Sequence, residues 1–422
     1  MDAELLAELR TPAGEEALAA AAALAGEDPL TAVSALRSRG IAPALASAAL
    51  TQAGFRRRAV AKFGPLAERM FFTRAGLEQA TRSIVAHRRA ARLAAAGVTT
   101  LADLGCGLGS DAMAAALHGI VVYAVEADPL TAAITRSNLS ALALDDRVTV
   151  TCADATEVDL AGFDAVFADP ARRQRGGARV FDPRAYSPPW DFIAGLPGRV
   201  PRTVLKLAPG IDHALLPSGA EGEWASVDGD LVEAAFWCGP LAATPRRATV
   251  LRSSPSALAP DAPRPATTEL TGSGVERAPV GAVGRYLYDP DPAVVRAHLV
   301  AEFADTVGGH LADPDIAYVY ADSFSNTPFA RVLEVTDVLP FSLKRLRALL
   351  RERGVGRLEI RKRGSALDPA RVRQDLRLSG PHPADMVLTR VNGAPTALIC
   401  RPALLTNTHH HPSQPRPRAI EQ

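Results

Sequence analysis

Three glycines alternate with other residues in the segment Asp103-Leu-Gly-Cys-Gly-Leu-Gly-Ser-Asp111. The apolar run Val98–Ala102 before it suits a buried strand, and Ala112–Leu117 after it suits the start of a helix. Glycine has no Cβ atom, so such a turn can be tight and its backbone can lie close to a ligand. A strand, a glycine turn and a helix form a nucleotide-binding corner. A tight turn that binds nothing is the alternative.

Acidic residues at the ends of predicted strands indicate which ligand this corner would take. The pattern Asp-x-Gly-x-Gly-x-Gly lacks the spacing of Gly-x-Gly-x-x-Gly and the Lys-Ser/Thr of a phosphate loop. A carboxylate at the strand end suits a ligand with an amine and hydroxyls rather than a pyrophosphate. Glu126 ends the predicted strand His118–Val125 and lies 23 residues beyond Asp103. That is near the spacing of about 20 at which such folds place a ribose-binding carboxylate. The pattern favours S-adenosylmethionine.

Two further acidic positions follow predicted strands in the same way. The next predicted elements are the helix Pro129–Leu142 and the strands Val148–Cys152, Phe163–Ala168 and Thr203–Leu207. Asp154 comes just after the first of these strands, and Asp169-Pro170 comes directly after the second. Because the carboxyl ends of parallel strands border the ligand crevice of such sheets, both residues are candidate site residues.

This order of motifs resembles the class I S-adenosylmethionine-dependent methyltransferases over about residues 70–250. The chain as a whole is also similar to a bacterial methyltransferase family that carries a C-terminal THUMP-like domain. The stretches Asp169–Arg173, Lys206–His213 and Leu339–Lys344 carry that closer match. The resemblance implies an enzyme with an α/β fold. It would have a Rossmann-like, seven-stranded methyltransferase domain, a helical N-terminal region and a small α/β C-terminal module.

The resemblance also implies a role for individual residues. It places nine of them at the cofactor: Asp103, Gly105, Gly107, Gly109, Asp111, Glu126, Asp154, Phe72 and Thr73. Glu126 would bind the ribose and Asp154 the adenine side, while Phe72 and Thr73 would cover the cofactor. Packing in the core is the alternative for Phe72. Asp169, Pro170 and Arg172 form the catalytic-loop motif, in which the carboxylate would orient an acceptor amine or hydroxyl.

The catalytic-loop motif departs from a known pattern. Methyltransferases that act on amino groups of nucleic acids often carry Asp/Asn-Pro-Pro followed by an aromatic residue, whereas this chain has Asp-Pro-Ala-Arg. Arg172 replaces the aromatic residue, and a guanidinium plane can also stack on a base. Phe181, Tyr186 or Trp190 are alternative sources of a stacking ring. Arginines interleaved with aromatics suit a phosphate-bearing substrate. Arg173, Tyr186, Trp190 and Lys206 are therefore candidate substrate-binding residues, and a loop anchored by buried aromatics is the alternative.

Composition excludes several classes of protein. The chain has 422 residues, 47% apolar residues and a net charge of +1, so nothing in its overall charge indicates nucleic-acid binding. Its four cysteines are far apart and form no Cys-x-x-Cys pair, which argues against a zinc ribbon, and we expect no metal. The N-terminus lacks the pattern of a signal peptide, and the run Ala17–Ala25 is too short to span a bilayer. We therefore expect a cytoplasmic protein without a membrane segment.

The chain is predicted to have five parts. These are a helical region at 1–95, the methyltransferase domain at 96–252, a connecting segment at 253–326, the THUMP-like module at 327–403 and a disordered tail at 404–422. The segments Glu223–Cys238 and Arg246–Arg252 are expected to form the antiparallel pair that closes the methyltransferase sheet, with a turn at Asp228-Gly229. A single helix is expected at Ala293–Val307 and a strand at Ile316–Tyr320.

Positive charge is concentrated in the predicted THUMP-like module. Nine basic and two acidic residues lie between Lys344 and Arg363, a net charge of +7. Together with the resemblance, this density predicts contacts to RNA phosphates, with Arg361, Lys362 and Arg363 as candidates. Part of the charge is ordinary solvated surface.

Three functions remain open at this point. The first is methylation of RNA, either ribosomal or transfer RNA, with RNA as the partner. The second is methylation of a small molecule or a protein. The third is a non-catalytic protein that binds S-adenosylmethionine or RNA. Neither the acceptor atom nor the oligomeric state follows from the sequence.

Overall fold

The computed structural model describes residues 1–24, 26–172, 186–253 and 267–403, together with the backbone of 418 and 419. Arg173, Phe181 and most of the predicted tail lie outside the described residues. The chain divides into two compact units. The first comprises Met1–Gly222, Glu233–Ala243 and Leu251–Ala266. The second comprises Glu223–Val232, Thr244–Val250 and Thr267–Gln422.

Helices occupy most of the described residues before position 96. They are α1 Ala3–Leu9, α2 Pro12–Ala23, α3 Pro29–Ser38, α4 Pro43–Phe63, α5 Arg74–Gln79 and α6 Ser83–Ala95, with a 3-10 helix at Gly64–Arg69. Proline recurs at the first position, after a capping residue such as Thr11 or Asp28 whose side chain accepts a backbone hydrogen bond. Buried alanine and leucine side chains of these helices contribute to the core of the first unit.

The larger sheet begins with the strand that precedes the glycine turn. Its strands, with a separate two-residue pair β5 and β6, are β1 Thr100–Leu104, β2 Val121–Glu126, β3 Val148–Cys152, β4 Ala165–Ala168, β5 Ala171–Arg172, β6 Tyr186–Ser187, β7 Thr203–Leu207, β8 Glu221–Val227, β9 Asp230–Trp237, β10 Arg246–Leu251 and β11 Thr267–Gly272. The helices between them are α7 Ser110–Leu117, α8 Pro129–Ala141 and α9 Trp190–Arg199.

The order of strands in this sheet is β11-β10-β8-β9-β7-β4-β1-β2-β3. Strands β3, β2, β1, β4 and β7 are parallel neighbours, and β9 is antiparallel to β7. The seven strands expected from the resemblance are therefore present, and β10 and β11 extend the sheet to nine. In parallel sheets of this kind the ligand crevice lies at the carboxyl ends of the strands, where the strand order reverses, and here the order reverses between β1 and β4.

The closing antiparallel pair differs from our expectation. The expected segment Glu223–Cys238 contains both partners, β8 and β9, because the chain reverses at Asp228-Gly229. Both turn residues have positive φ, as the common two-residue hairpin requires. Strand β10 is an additional strand next to β8. The first strand also begins later than predicted, because Val98 belongs to the turn that ends α6, where its N–H donates to the Leu93 carbonyl.

The second unit contains the smaller sheet. Its strands are β12 Tyr286–Pro290, β13 His310–Leu311, β14 Val319–Ala321, β15 Ala330–Pro340, β16 Val355–Lys362, β17 His382–Val391 and β18 Ala394–Pro402, in the order β13-β14-β12-β15-β18-β17-β16, with β19 Arg418–Ala419 beside β15. Its helices are α10 Pro292–Arg296, α11 Val300–Thr306, α12 Leu343–Glu352 and α13 Pro369–Leu376. Leucines of α12 and α13 pack on one face of the sheet, and Tyr318 and Tyr320 pack with its other face.

Two elements of the connecting segment differ in extent from our expectation. The single helix expected at Ala293–Val307 is divided into α10 and α11, because His298 adopts a left-handed conformation with φ 62°. The strand expected at Ile316–Tyr320 is β14, which begins three residues later.

Candidate active site

The glycine turn is held in a fixed shape by bonds to its neighbours. The N–H groups of Gly105 and Cys106 both donate to the Val125 carbonyl, at 2.9 and 3.0 Å. Gly105 has φ 87°, and a Cβ atom there would lie 3.0 Å from the Asp169 carbonyl oxygen. A side chain at Gly109 would meet Thr135 of α8 at 2.8 Å. Glycine is therefore required both for the turn and for its contacts with β4 and α8.

Glu126 and Asp154 lie at the carboxyl ends of β2 and β3, as predicted. Glu126 accepts hydrogen bonds from the N–H of Gly107 at 3.0 Å and from the N–H of Asp128 at 2.9 Å. Asp154 accepts from the N–H and the hydroxyl of Thr156, both at 2.8 Å, and these bonds lower its pKa. Both carboxylates are thus oriented by donors in the neighbouring loops, Glu126 by the glycine turn and Asp128, and Asp154 by Thr156.

Asp103 is fully buried at the end of β1. Neither of its carboxylate oxygens has a hydrogen-bond partner among the residues that the structure describes. Burial raises the pKa of Asp103 well above its usual range, and the carboxylates of Asp111 and Asp169 raise it further. A buried polar group without a partner is costly, so this carboxyl group is suited to meet a ligand group.

Asp169 and Lys206 form an ion pair at the ends of β4 and β7. The Lys206 ammonium donates to Asp169 Oδ2 at 2.5 Å. The pair is placed by the parallel register of the two strands, in which Ala168 lies opposite Leu205. Burial alone would lower the pKa of Lys206, but Asp169, Asp111 and Glu233 outweigh it, so the pKa is raised. Lys206, predicted to bind substrate, therefore contacts the predicted catalytic carboxylate directly.

A buried network lies beside this pair and was missed in the sequence. Arg89 donates from Nε to Asp111 at 3.1 Å and makes three hydrogen bonds to Glu233, and its guanidinium lies over the ring of Phe167. Thr81 donates to the other oxygen of Asp111 at 2.7 Å. Both oxygens of Asp111 are thus bound by protein groups, and its side chain is only 10% exposed in an ion pair with Arg89, which favours a structural role over the predicted cofactor contact. Arg89 and Glu233 are 144 positions apart, so no local signal in the sequence could have paired them.

The segment α5 packs directly against the glycine turn. A Cβ atom at Gly76 would lie 2.9 Å from Leu108, so the helix backbone approaches that side chain closely. Thr73 caps α5 by accepting from the N–H of Gly76 at 3.0 Å. Lys62 of α4 donates to three carbonyls at the end of α5, those of Leu77, Glu78 and Ala80, at 2.8 to 2.9 Å. The predicted covering segment therefore lies next to the turn.

The structure favours the packing alternative for Phe72 over a cofactor contact. Its side chain is fully buried, its ring lies 5.7 Å from that of Phe63, and its backbone bonds to Gln52. The ring belongs to the hydrophobic core of the first unit. Gln52, which was not predicted, fixes this stretch of backbone.

The catalytic-side loop begins and ends in a short antiparallel pair. Arg172 of β5 lies opposite Tyr186 of β6. Pro170 is buried between β4 and β5. The Tyr186 ring is buried and lies 6.1 Å from that of Trp190. The two predicted substrate-binding aromatics are therefore brought together, while Arg173 lies outside the described residues.

The three basic residues predicted to contact RNA are engaged within the second unit. Arg361 pairs with Glu359, and Lys362 donates to the Leu367 carbonyl at 3.0 Å. Arg363 donates to Asp289 at 2.9 Å, and its guanidinium lies over Tyr318. They are less available to a partner than the sequence indicated.

The described residues contain neither a metal-binding cluster nor a helix that could span a membrane. No group of three or more His, Cys, Asp or Glu side chains there could hold a metal ion. Within the same residues, every helix is too short or too polar to cross a bilayer.

The residues at the glycine turn fit S-adenosylmethionine. Asp103 offers an unsatisfied buried carboxyl group to an amine, and a Cβ atom at Gly107 would meet nothing within 4 Å, so the backbone there is open. Glu126 stands at a strand end where such folds place a ribose-binding acid, and Asp154 follows the carboxyl end of the neighbouring strand. The fit therefore rests on these carboxyl groups and on the open space at Gly107.

Comparison with known proteins identifies the family. A family model described as THUMP domain-like matches residues 330–402, and a domain of unknown function, DUF8688, matches residues 2–59. The crystal structure of a candidate methyltransferase from Porphyromonas gingivalis superposes with a TM-score of 0.71 at 21% identity, covering 92% of this chain and 99% of that one. It shows the same fold. Two proteins of Mycobacterium tuberculosis, described as uncharacterized S-adenosylmethionine-dependent methyltransferases, are each 36% identical over 82% of this chain and 95% of their own length. The chain therefore belongs to the S-adenosylmethionine-dependent methyltransferases, with S-adenosylmethionine as its cofactor.

Proposed function

We propose that this methyltransferase acts on RNA in the cytoplasm. Bound S-adenosylmethionine supplies a methyl group that its sulfonium already activates, so no nucleophilic side chain is needed. Asp103 and the backbone of Gly105, Gly107 and Gly109 hold the methionine end. Glu126 accepts hydrogen bonds from the ribose, and Asp154 accepts one from the adenine amine.

Asp169 is the residue that meets the acceptor. It follows β4 at the crevice, its side chain is one-third exposed, and its backbone carbonyl lies next to Gly105. Holding acceptor and donor in line can supply several kcal/mol, up to about 7–11 kcal/mol, of the barrier reduction. Pro170 fixes the turn that presents Asp169, and Arg172 lies beside it in β5. The observation that carries this assignment is the meeting of Asp103 and Asp169 at one edge of the sheet.

The RNA part of the proposal is supported by the second unit. A THUMP-like match covers 330–402, and the stretch Lys344–Arg363 within it has a net charge of +7. Lys344, Arg345 and Arg357 are exposed. Exposed lysine and arginine side chains are the usual partners of phosphates, and such contacts carry little sequence information.

A small-molecule or protein acceptor is the second candidate. The observation that favours it is the engagement of Arg361, Lys362 and Arg363 in bonds within their own unit. Basic residues that bond within their own unit are less available to phosphates. A small-molecule or protein acceptor would need no such phosphate contacts.

Transfer of labelled methyl groups tests both candidates. The full-length protein is incubated with labelled S-adenosylmethionine and with either total RNA or the small-molecule and protein fractions of a strain that lacks this gene. We expect label in RNA, and nucleoside analysis then identifies the methylated position. Label in another fraction alone would replace RNA by the second candidate. Asp169→Ala should cut the transfer rate about a hundredfold.

A further inference from the structure

Lys206 lies where it can control the orientation of Asp169. It stands in β7 between the buried residues Leu205 and Leu207, and its side chain is 12% exposed. Its ammonium reaches Oδ2 of Asp169 across the β4–β7 pair. Oδ1 of Asp169 makes no hydrogen bond to the residues that the structure describes. One oxygen is therefore fixed, and the other remains available to a substrate.

We propose that Lys206 positions Asp169 as a hydrogen-bond acceptor for an amino group, and that the methyl acceptor is consequently a nitrogen atom rather than a hydroxyl oxygen. This rests on the proposed function, because it assigns the acceptor atom of that same site.

The charge arrangement decides between nitrogen and oxygen acceptors. The Lys206 ammonium holds Oδ2 of Asp169 in a charge-assisted hydrogen bond, so Asp169 meets the methyl acceptor through Oδ1, as a hydrogen-bond acceptor. Lys206 cannot act as a base, because the surrounding carboxylates raise its pKa and keep it protonated. Asp111 and Glu233 are occupied by Arg89. The oxygen of a hydroxyl group is a poor nucleophile until a base removes its proton, whereas the nitrogen of an amine is nucleophilic while neutral and can lose its proton after the transfer.

The transfer step balances without a further reactant. An N–H of the acceptor donates to Asp169 Oδ1, which directs the nitrogen lone pair at the methyl carbon. A nitrogen–carbon bond forms as the carbon–sulfur bond breaks, and the electron pair of that bond stays on sulfur. The positive charge passes from sulfur to nitrogen, and the nitrogen then loses its proton to water.

The ion pair can be tested without any acceptor. The chain contains only four lysines, Lys62, Lys206, Lys344 and Lys362, so the signals of carbon-13-labelled lysine can be assigned by substitution. We expect Asp169→Asn to lower the pH at which Lys206 titrates by about one unit or more. Asp164→Asn is the matched control, because Asp164 precedes β4 at its other end and binds Thr99. An unchanged Lys206 titration in Asp169→Asn would refute the positioning role.

The role of Lys206 in transfer is measured by single turnovers on RNA from the strain that lacks the gene. We expect Lys206→Met to slow transfer about tenfold or more at saturating cofactor, with unchanged cofactor affinity, and Lys206→Arg to recover most of the rate. A merely structural role would lower the melting temperature and the active fraction together. A parent-like rate in Lys206→Met contradicts the proposal.

Nucleoside analysis of the product tests the acceptor atom. We expect the methyl group on a base nitrogen, and a methyl group on a ribose oxygen or a base carbon would overturn the proposal. If the parent protein labels no RNA, the proposed function is wrong, and the lysine titration still decides whether Lys206 positions Asp169.

Discussion

At the scale of single residues, Glu126 orients the glycine turn, and this task is compatible with the ribose binding that we propose for it. Its two oxygens already accept N–H groups, one from Gly107 of the glycine turn and one from Asp128. A carboxylate has about four lone-pair sites, so each oxygen can accept a further bond from a ribose hydroxyl. Glu126 thus orients the turn and remains able to bind the cofactor.

We expect Glu126→Ala to weaken binding of S-adenosylmethionine, because it removes hydrogen bonds to a charged group worth about 1.5–3 kcal/mol. This corresponds to a loss of affinity of about tenfold to somewhat more than a hundredfold. Calorimetric titration measures it. Asp128→Ala is the control, since Asp128 caps α8 through Thr131 and should lower stability without changing cofactor affinity. Equal affinity of Glu126→Ala and the parent would remove Glu126 from the ribose site.

At the scale of elements, the predictions succeeded where a pattern is local. Strands β3 and β7 have the bounds expected from their apolar runs. The hairpin turn at Asp228-Gly229 forms as predicted, because such a turn requires two residues with positive φ and these two residue types adopt it readily. The break at His298 has no comparable signal, because the sequence around it remains compatible with one helix. Contacts such as Arg89 with Glu233 depend on elements far apart in the chain, so periodicity cannot reveal them.

The attachment of α5 to α4 also depends on a single distant residue. Lys62 satisfies three carbonyls at the end of α5, where a helix has no partners of its own for these groups. Burial lowers the pKa of Lys62 to about 8, and the positive charges of Lys206 and Arg82 act in the same direction. The helix α5, which packs on the glycine turn, is therefore held by the Lys62 ammonium group, whose pKa is lowered.

This perturbation predicts a pH dependence of stability. Between about pH 8 and the ordinary pKa of 10.5, Lys62 binds fewer protons in the folded chain than in the unfolded chain. Its contribution to the free energy of unfolding therefore rises with pH across that window. After allowance for its partial exposure, we expect the difference between the parent and Lys62→Met to grow by about 1–2 kcal/mol. Denaturant unfolding at pH 7 to 10 measures it. The same comparison with Lys344→Met, at an exposed lysine, should be flat, and a difference that falls with pH for Lys62 would contradict the assignment.

At the scale of the whole molecule, the chain combines a methyltransferase unit with a second unit that contains the THUMP-like match. The net charge of +1 conceals a local excess of +7 between Lys344 and Arg363, because acidic residues elsewhere balance it. Ion pairs with acidic residues of the second unit neutralise part of that excess. Arg353 is paired with Asp337, and Arg363 with Asp289, whereas Lys344 and Arg345 are exposed. The charge available to a partner is thus smaller than the sequence count and includes Lys344 and Arg345 at the start of α12 and Arg357 in β16.

RNA binding should therefore respond differently to two sets of substitutions. Neutralising Lys344 and Arg345 with glutamine should weaken binding to all RNA sequences and flatten its dependence on salt by about 0.7–0.9 per lost phosphate contact, without a change in melting temperature. Neutralising Arg361, Lys362 and Arg363 together should also weaken binding, but it removes bonds within the second unit and so should lower the melting temperature as well.

The double variant Arg37→Gln and Arg39→Gln removes two exposed charges near the end of α3 and is the control for net charge. Titrations of the full chain with RNA at several salt concentrations measure each slope. If both sets of variants bind RNA like the parent at every salt concentration, the second unit serves another purpose than phosphate binding.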